Sequence, residues 1–359
     1  MDEYKYLAIV EWAKKYIEEQ GLRPDDRFLS ENELCSIHNV SRQTVRQALK
    51  MLENENVICR VRGSGTFVKE ASAAAPAERL SVGVISTYFS DYIFPSIVTG
   101  IESVLKRNNT AMQLSITQNQ VFEETQALRN MINHGVSGLI IEPSKSALPN
   151  PNRKLYDEIK AKNIPVVFFN AKYPWADFPC VMMDDIEAGK LVTDYLFHSG
   201  HKKISAIFAL DDIQGHNRYQ GYIKSCEEQG IVTAEQNVLW YSTSERASLF
   251  SLSESRILSL LKESTAVVCY NDKLAVELLN FCKSRGISVP DDISIVGIDD
   301  SKLATICDVH LTTVKHPHQL LGEKAAEQLL SLMQNPKAES KDVLCKPELV
   351  IRDSVRKIK

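Results

Sequence analysis

The run Ser41-Arg42-Gln43-Thr44-Val45-Arg46-Gln47-Ala48-Leu49 spaces two guanidinium groups four residues apart, on one face of a helix. Gln43, Gln47 and Lys50 fall beside them on the exposed side, and no acidic residue occurs between Cys35 and Leu52. Such a surface gathers positive potential where phosphates and the acceptor edges of guanine can meet it. Arg60 and Arg62 follow, next to the Gly63-Ser64-Gly65 tip of a short hairpin. That shape is able to enter a minor groove. The plainer alternative is a solvated basic face on a three-helix bundle. The Gly-tipped basic hairpin directly behind the helices favours nucleic acid.

A second set lies in the later sequence. Arg218-Tyr219-Gln220-Gly221-Tyr222 opens a helix after a strand, while Cys269-Tyr270-Asn271-Asp272 and Gly297-Ile298-Asp299-Asp300 each follow an apolar strand. Polar groups at the carboxyl ends of parallel strands point into the crevice where α/β folds bind ligands. An arginine, an amide and carboxylates converging there suit a polyhydroxylated small molecule, because each gives directional hydrogen bonds to hydroxyls. Asp272 has two readings at this point, a helix cap or a ligand contact. Catalytic signatures are absent: there is no phosphate-binding loop, no G-x-S-x-G and no H-E-x-x-H. His198 and His201 have a spacing seen in metal sites, but no third ligand cluster accompanies them. They read as histidines at a helix carboxyl end, where the dipole favours them.

These residues need a scaffold, and its elements change character near Glu70. Residues 71–77 are small and uncharged, with one proline, and read as an exposed linker. Before it, Tyr6, Val10, Ala13 and Ile17 recur on one helical face, ended by Gly21. Ser30 and Glu33 form a capping box for a second helix, and Ser41 caps a third whose buried stripe is Val45, Ala48, Leu49 and Leu52. Residues 57–60 and 66–68 read as the two hairpin strands. After the linker, strands are expected at 81–86, 112–116, 138–142, 165–170, 203–209, 266–270 and 293–298, with helices between most of them. Near-continuous apolar runs of this kind belong to strands covered on both faces, and the alternation argues for parallel sheets. The length from Leu80 onward suits two α/β lobes with a cleft between them.

Composition is that of an ordinary globular protein, with 44% hydrophobic and 25% charged residues. A formal net charge of −4 argues against a wholly basic nucleic-acid coat but not against a local basic face. No apolar run is long enough to span a bilayer, and the amino-terminal residues lack the apolar core of a signal peptide. A cytoplasmic location with no membrane association is expected. The eight cysteines are scattered with no C-x-x-C pair and read as buried, reduced thiols.

The first region resembles the GntR-family winged helix, through Leu29-Ser30-Glu31-Asn32-Glu33-Leu34, Val40 to Leu49 of the basic run and Gly63-Ser64-Gly65-Thr66-Phe67-Val68. The resemblance implies operator contacts from Arg42, Thr44, Arg46, Gly63 and Gly65. Gln43 stands on the same exposed side, and Arg62 and Ser64 sit on the wing where family members vary. The later region resembles the effector domain of LacI-type regulators and periplasmic sugar-binding proteins, which implies sugar contacts from Arg218, Asn271 and Asp299; the lobe crossover near residues 312–317 also matches. Residues 86–95 and 141–148 are similar to the group of arabinose repressors. By that likeness Tyr92 and Phe94 are aromatic candidates at the sugar and Asp91 a polar one. Glu142 closes a strand at the cleft side, and Lys172 follows another. Core packing competes for Phe94, and surface solvation for Lys172.

Together these readings predict a winged helix-turn-helix over residues 1–70, a linker over 71–79 and a two-lobed α/β effector and dimerisation domain over 80–359. The resemblance implies a homodimeric repressor, released from double-stranded operator DNA by a small sugar, with L-arabinose foremost and another sugar or a sugar phosphate as the alternative. A periplasmic binding protein would need a signal peptide, and an enzyme would need a catalytic set. Neither a cofactor nor a metal is expected.

Overall fold

The computed structural model describes residues 5–54, 57–61, 65–69, 80–89, 92–232, 235–335 and 341–358. The chain divides into two compact units, Met1–Arg79 and Leu80–Lys359.

The first unit runs α1 (Lys5–Glu19), β1 (Arg27–Phe28), α2 (Glu31–His38), α3 (Arg42–Asn54), β2 (Ile58–Val61) and β3 (Gly65–Val68). The capping box starts α2: Glu33 N–H donates to Ser30 Oγ and Ser30 N–H to Glu33 Oε2 at 2.7 Å. Asn39 then turns the chain in the left-handed region, and Ser41 Oγ accepts from Thr44 N–H to begin α3. Val45, Ala48, Leu49 and Leu52 are fully buried. They pack with Val10 and Ala13 of α1, Leu34 of α2 and Ile58 and Val68 of the sheet. Ile9 joins this core, while Tyr6 and Ile17 are only partly buried against it. The sheet has three antiparallel strands in the order β1-β3-β2. Strand β1 was not anticipated, because two residues are too few to show alternation.

The second unit begins with β4 (Ser81–Ser86), α4 (Phe94–Arg107), β5 (Ala111–Ile116), α5 (Val121–Asn133), β6 (Gly138–Ile141), α6 (Arg153–Ala161), β7 (Val166–Phe169) and β8 (Cys180–Met183). It continues through α7 (Asp185–His198), β9 (Ile204–Ala209), α8 (Ile213–Glu228), β10 (Val238–Tyr241), α9 (Leu249–Leu252), α10 (Glu254–Glu263), β11 (Ala266–Cys269), α11 (Asp272–Ser284), β12 (Ser294–Val296) and α12 (Leu303–Ile306). It ends with β13 (Thr313–Lys315), α13 (His318–Gln334), β14 (Val343–Cys345) and β15 (Glu348–Val350). One lobe holds the six-stranded parallel sheet β14-β8-β7-β6-β4-β5, and the other the four-stranded parallel sheet β10-β9-β11-β12. Helices cover both faces of the larger sheet: Val82 and Val84 belong to one apolar cluster and Ile85 to another. That is why the strands read as unbroken apolar runs. The chain crosses between lobes after β8, after β13 and after β14, with β13 and β15 paired antiparallel at the crossing.

Where expectation and structure differ, the elements are short. Strands β8, β10, β13, β14 and β15 have three or four residues each and carry too little pattern to stand out. Helix α8 opens at Ile213, capped by Asp212, so Arg218 lies in its second turn rather than at its start. His198 is the last residue of α7, but His201 is buried beyond it, between Thr265 Oγ1 at 2.9 Å and Arg356 O at 3.1 Å. All eight cysteines are free. Among the described residues no cluster of metal-ligating side chains occurs, and no helix is long and apolar enough to cross a membrane.

Candidate ligand cleft and nucleic-acid interface

Helices α7 and α8 meet backbone to backbone. A Cβ on Gly189 would lie 2.1 Å from Arg218 O, and one on Gly221 2.0 Å from Ile186 O. This close approach lets Asp185, at the start of α7, reach Arg218 on α8. Arg218 is buried and gives Nε to Asp185 Oδ1 at 2.7 Å, Nη1 to Tyr270 O at 2.6 Å and Nη2 to Asp299 Oδ1 at 3.3 Å. Its guanidinium also sits 4.8 Å from the centre of the Tyr270 ring. Burial works against its charge, but Asp185 and Asp299 outweigh that and hold its pKa above the ordinary guanidinium value. For the same reason of burial, only partly offset by Arg218, the carboxyl of Asp185 is pushed up to about 6 and that of Asp299 is raised.

This cluster floors a cavity of about 380 Å³ between the lobes, the size class of small-molecule sites. Across the cavity Tyr92 donates its hydroxyl to Asp299 Oδ2 at 2.6 Å, tying the first lobe to the second. Glu142 lies in the first-lobe wall with both oxygens taken. Oε2 accepts from Thr87 N at 2.8 Å and Thr87 Oγ1 at 2.5 Å, and Oε1 accepts from Asn170 Nδ2 at 2.6 Å. Burial raises its pKa despite these donors. The bond to Glu142 fixes the Asn170 amide, whose buried Oδ1 has no partner. Phe94 lines the cavity with Tyr88, their rings edge to face at 5.4 Å. Asn271 lines it as well, while its Oδ1 caps α11 by accepting from Leu274 N at 3.0 Å.

A second group of contacts joins the lobes. Lys145 Nζ meets Asp211 Oδ2 at 2.9 Å, Ser146 Oγ donates to Asp212 Oδ1 at 2.8 Å, and Asn119 Nδ2 donates to Thr243 Oγ1 at 2.8 Å. Burial alone would raise Asp211, but Lys145 and the Thr243 donors pull its pKa below the ordinary carboxylate value.

Two expected ligand contacts lie elsewhere. Asp272 is wholly buried behind the wall, and its carboxylate accepts from Ser301 N at 2.7 Å and Thr313 Oγ1 at 2.5 Å. It is neither the cap of α11, a role Asn271 fills, nor part of the cavity lining. Lys172 pairs with Asp342 at 2.5 Å beside the β14 edge, because the chain turns at Asn170 with φ +61° and leaves Ala171 at the cavity. Asp91 lies outside the described residues. Sequence reasoning passed over Asn170, although a polar residue directly after an apolar strand was the signal that found Asn271. It also passed over Asp185, Asp211 and Asp212.

In the first unit, Arg42, Gln43, Arg46, Gln47 and Lys50 are exposed on α3. Arg42, Gln43 and Lys50 have no hydrogen-bonding or ionic partner among the described residues. Thr44 Oγ1 lies 2.9 Å from Ser41 Oγ and so belongs to the helix start. Arg46 Nε meets Glu31 Oε2 at 3.0 Å, and Arg60 lies 2.8 Å from Glu53 and 3.8 Å from Glu31. A stretch without acids along the chain thus acquires an acidic neighbour in space. Gly65 opens β3 with φ +124°. Arg62, Gly63 and Ser64 lie outside the described residues.

Residues 5–68 match the bacterial regulatory proteins of the gntR family, and residues 193–355 match the periplasmic binding protein-like domain. Over 357 residues the chain is 39% identical to the arabinose metabolism transcriptional repressor of Geobacillus stearothermophilus, covering 99% of this chain and 98% of that protein. It is 35% identical over 367 residues to the protein of the same name from Halalkalibacterium halodurans, with 99% and 98% covered. Among solved structures, transcription regulator CcpA of Lactococcus lactis superposes with a TM-score of 0.69 at 26% identity, over 77% of this chain and 99% of that one. A LacI family transcriptional regulator from Enterococcus faecium, solved with bound ribose, shares the fold with a TM-score of 0.66 at 23% identity, over 78% and 100%.

Proposed function

The chain belongs to the gntR-family transcriptional repressors that carry a LacI-type, periplasmic-binding-protein-like effector domain, and from that premise we propose that its cleft takes up L-arabinose and that uptake releases it from operator DNA. It is a regulator and not an enzyme. The observation that carries the reading is the convergence of Arg218, Asp299, Asn170 and Asn271 on one cavity of about 380 Å³. Sugar hydroxyls are both donors and acceptors. They donate to Asn170 and Asp299 and accept from Arg218 and Asn271. Glu142 holds Asn170 in the accepting orientation, and Tyr92 and Phe94 supply the aromatic edge. Asp185 and Asp299 balance the charge of Arg218, Asp211 that of Lys145 and Glu277 that of Arg246, which favours a neutral sugar over a sugar phosphate.

The molecule acts in the cytoplasm as a homodimer, so that two winged units read the half-sites of a pseudo-palindromic operator. Arg42, Gln43, Thr44 and Arg46 face the major groove, and Arg62, Gly63, Ser64 and Gly65 are the further operator contacts. Sugar bound between the lobes favours the closed arrangement, and its effect on DNA is bounded by its differential affinity for the two states. Titration calorimetry of the full-length protein with L-arabinose, D-xylose, D-ribose and a pentose phosphate tests the effector. L-Arabinose is expected to bind tightest. A pentose phosphate binding tighter, or no uptake of any pentose, overturns the assignment.

A further inference from the structure

Asp299, the carboxylate that faces both Arg218 and Tyr92, stands in an unfavourable backbone conformation. Its φ is +117°, and Asp300 follows at +48°. Two successive non-glycine residues on that side of the backbone map persist only where surrounding bonds over-determine them. Two of the bonds that do so run to Asp272. Its carboxylate leaves the start of α11 and passes beneath the end of β12, where Gly297 makes room: a Cβ there would lie 2.3 Å from Asp272 Oδ1. Oδ2 then accepts from Ser301 N at 2.7 Å, at the far side of the turn, and Oδ1 accepts from Thr313 Oγ1 at 2.5 Å on the crossover strand β13. Thr313 Oγ1 in turn accepts from Asp300 N at 3.3 Å. Asp299 itself is fastened to the crossover by its backbone, N to Val314 O at 2.8 Å and O from His316 N at 3.3 Å.

We infer that Asp272, acting through Ser301 and Thr313, is the positioning residue that holds Asp299 against the sugar and couples it to the crossover between the lobes. The inference rests on the cavity being the sugar site, although Asp272 itself touches no ligand. Burial and the neighbouring Asp299 push the Asp272 carboxyl up to about 8, and in its neutral form the acid gives its proton to Thr313 Oγ1 along the same contact. A neutral Asp272 spares Asp299 a second negative charge at close quarters. Among the described residues, Tyr92 from the first lobe, Cys269 at the end of β11 and Cys307 after α12 lie within electrostatic reach of its ionised form.

The test uses full-length protein, L-arabinose as the probe and calorimetry across pH, with hydrogen exchange of the 299–301 amides read in the absence of sugar. Thr313→Val keeps the side-chain shape and removes the shared hydroxyl; a loss of at least ~10-fold in sugar affinity is expected, with operator affinity within ~2-fold. Asp272→Ala should do the same, with faster exchange of the three amides in both variants. Asp272→Asn can accept from Ser301 and donate to Thr313, so sugar affinity within ~3-fold of the parent and parental exchange are expected. The parent should lose affinity as pH rises through about 8 while the asparagine variant holds it, a split that a merely structural role does not produce. Parental affinity and exchange in both Thr313→Val and Asp272→Ala overturn the inference, as does an alkaline loss unchanged in Asp272→Asn. If the parent takes up no L-arabinose, it is the effector assignment that fails, and the exchange rates still decide the role of Asp272.

Discussion

Arg42 stands on the open face of α3 with no partner among the described residues, whereas Arg218 is sealed in the second lobe between two carboxylates and a carbonyl. The exposed guanidinium keeps its hydration and its rotamers, so it can adjust to a base edge or a phosphate, and salt weakens whatever it binds. The buried one has given up both. Its geometry exists before any ligand arrives, and it transmits position: Asp185 on α7, Tyr270 after β11 and Asp299 before the crossover are all fixed to it. Arg46 and Arg60 fall between these extremes, each held at the surface by a glutamate. The DNA-reading unit is arranged for adaptable electrostatics, and the cleft for a preorganised polar network.

That contrast sets the order of the expected effects. Arg218→Ala leaves Asp185 and Asp299 buried and facing one another, so a loss of ~3–5 kcal/mol is expected from the effector domain. Chemical denaturation and calorimetry should show a weakened domain that takes up no sugar, with operator binding intact; normal sugar uptake by this variant would remove Arg218 from the site. Arg42→Ala should weaken operator binding by ~1–3 kcal/mol if the side chain reads a guanine. A gel shift at parental affinity would end that role, and sugar uptake should not change.

Smaller effects sharpen the comparison further. Lys145→Ala removes one inter-lobe bond and leaves Asp211 its Thr243 donors; sugar affinity should fall ~5–10-fold, about 1–1.4 kcal/mol. Sugar-free operator affinity should stay at the parental value, and a variant with undiminished sugar affinity would show that Lys145–Asp211 does not help hold the lobes closed. The smallest expected effect belongs to Glu31→Gln, which frees Arg46 from a surface pair. Operator affinity should rise by under ~1 kcal/mol, with a steeper salt dependence in anisotropy titrations. A fall in affinity would mean that Glu31 orients Arg46 rather than restraining it.

The winged unit was legible because its signals are local. The capping box, the stripe of Val45, Ala48, Leu49 and Leu52 and the hairpin all lie within a few residues of what they organise. What could not be seen was Glu31 folding back onto Arg46, a contact across 15 residues. In the second unit, polar residues after apolar strands led to Arg218, Asn271 and Asp299, all of which line the cavity. Asp185 escaped because the strand before it, β8, is too short to announce the helix that carries it. Asp272 was placed in the right neighbourhood with the wrong job. Residue type and local spacing suggest a cap or a ligand contact, but its partner Thr313 is 41 residues further on, and only the fold brings them together. Lys172 failed for a related reason, since the left-handed turn at Asn170 redirects the chain.

Fluorescence anisotropy of the full-length protein on a labelled duplex selected for tight binding, with L-arabinose titrated in, bears most directly on sugar-controlled release. The parent is expected to leave the duplex as the sugar rises, and Arg218→Ala to stay bound at every concentration. A parent that remains on the DNA at saturating L-arabinose, or an Arg218→Ala variant released as readily as the parent, would contradict it.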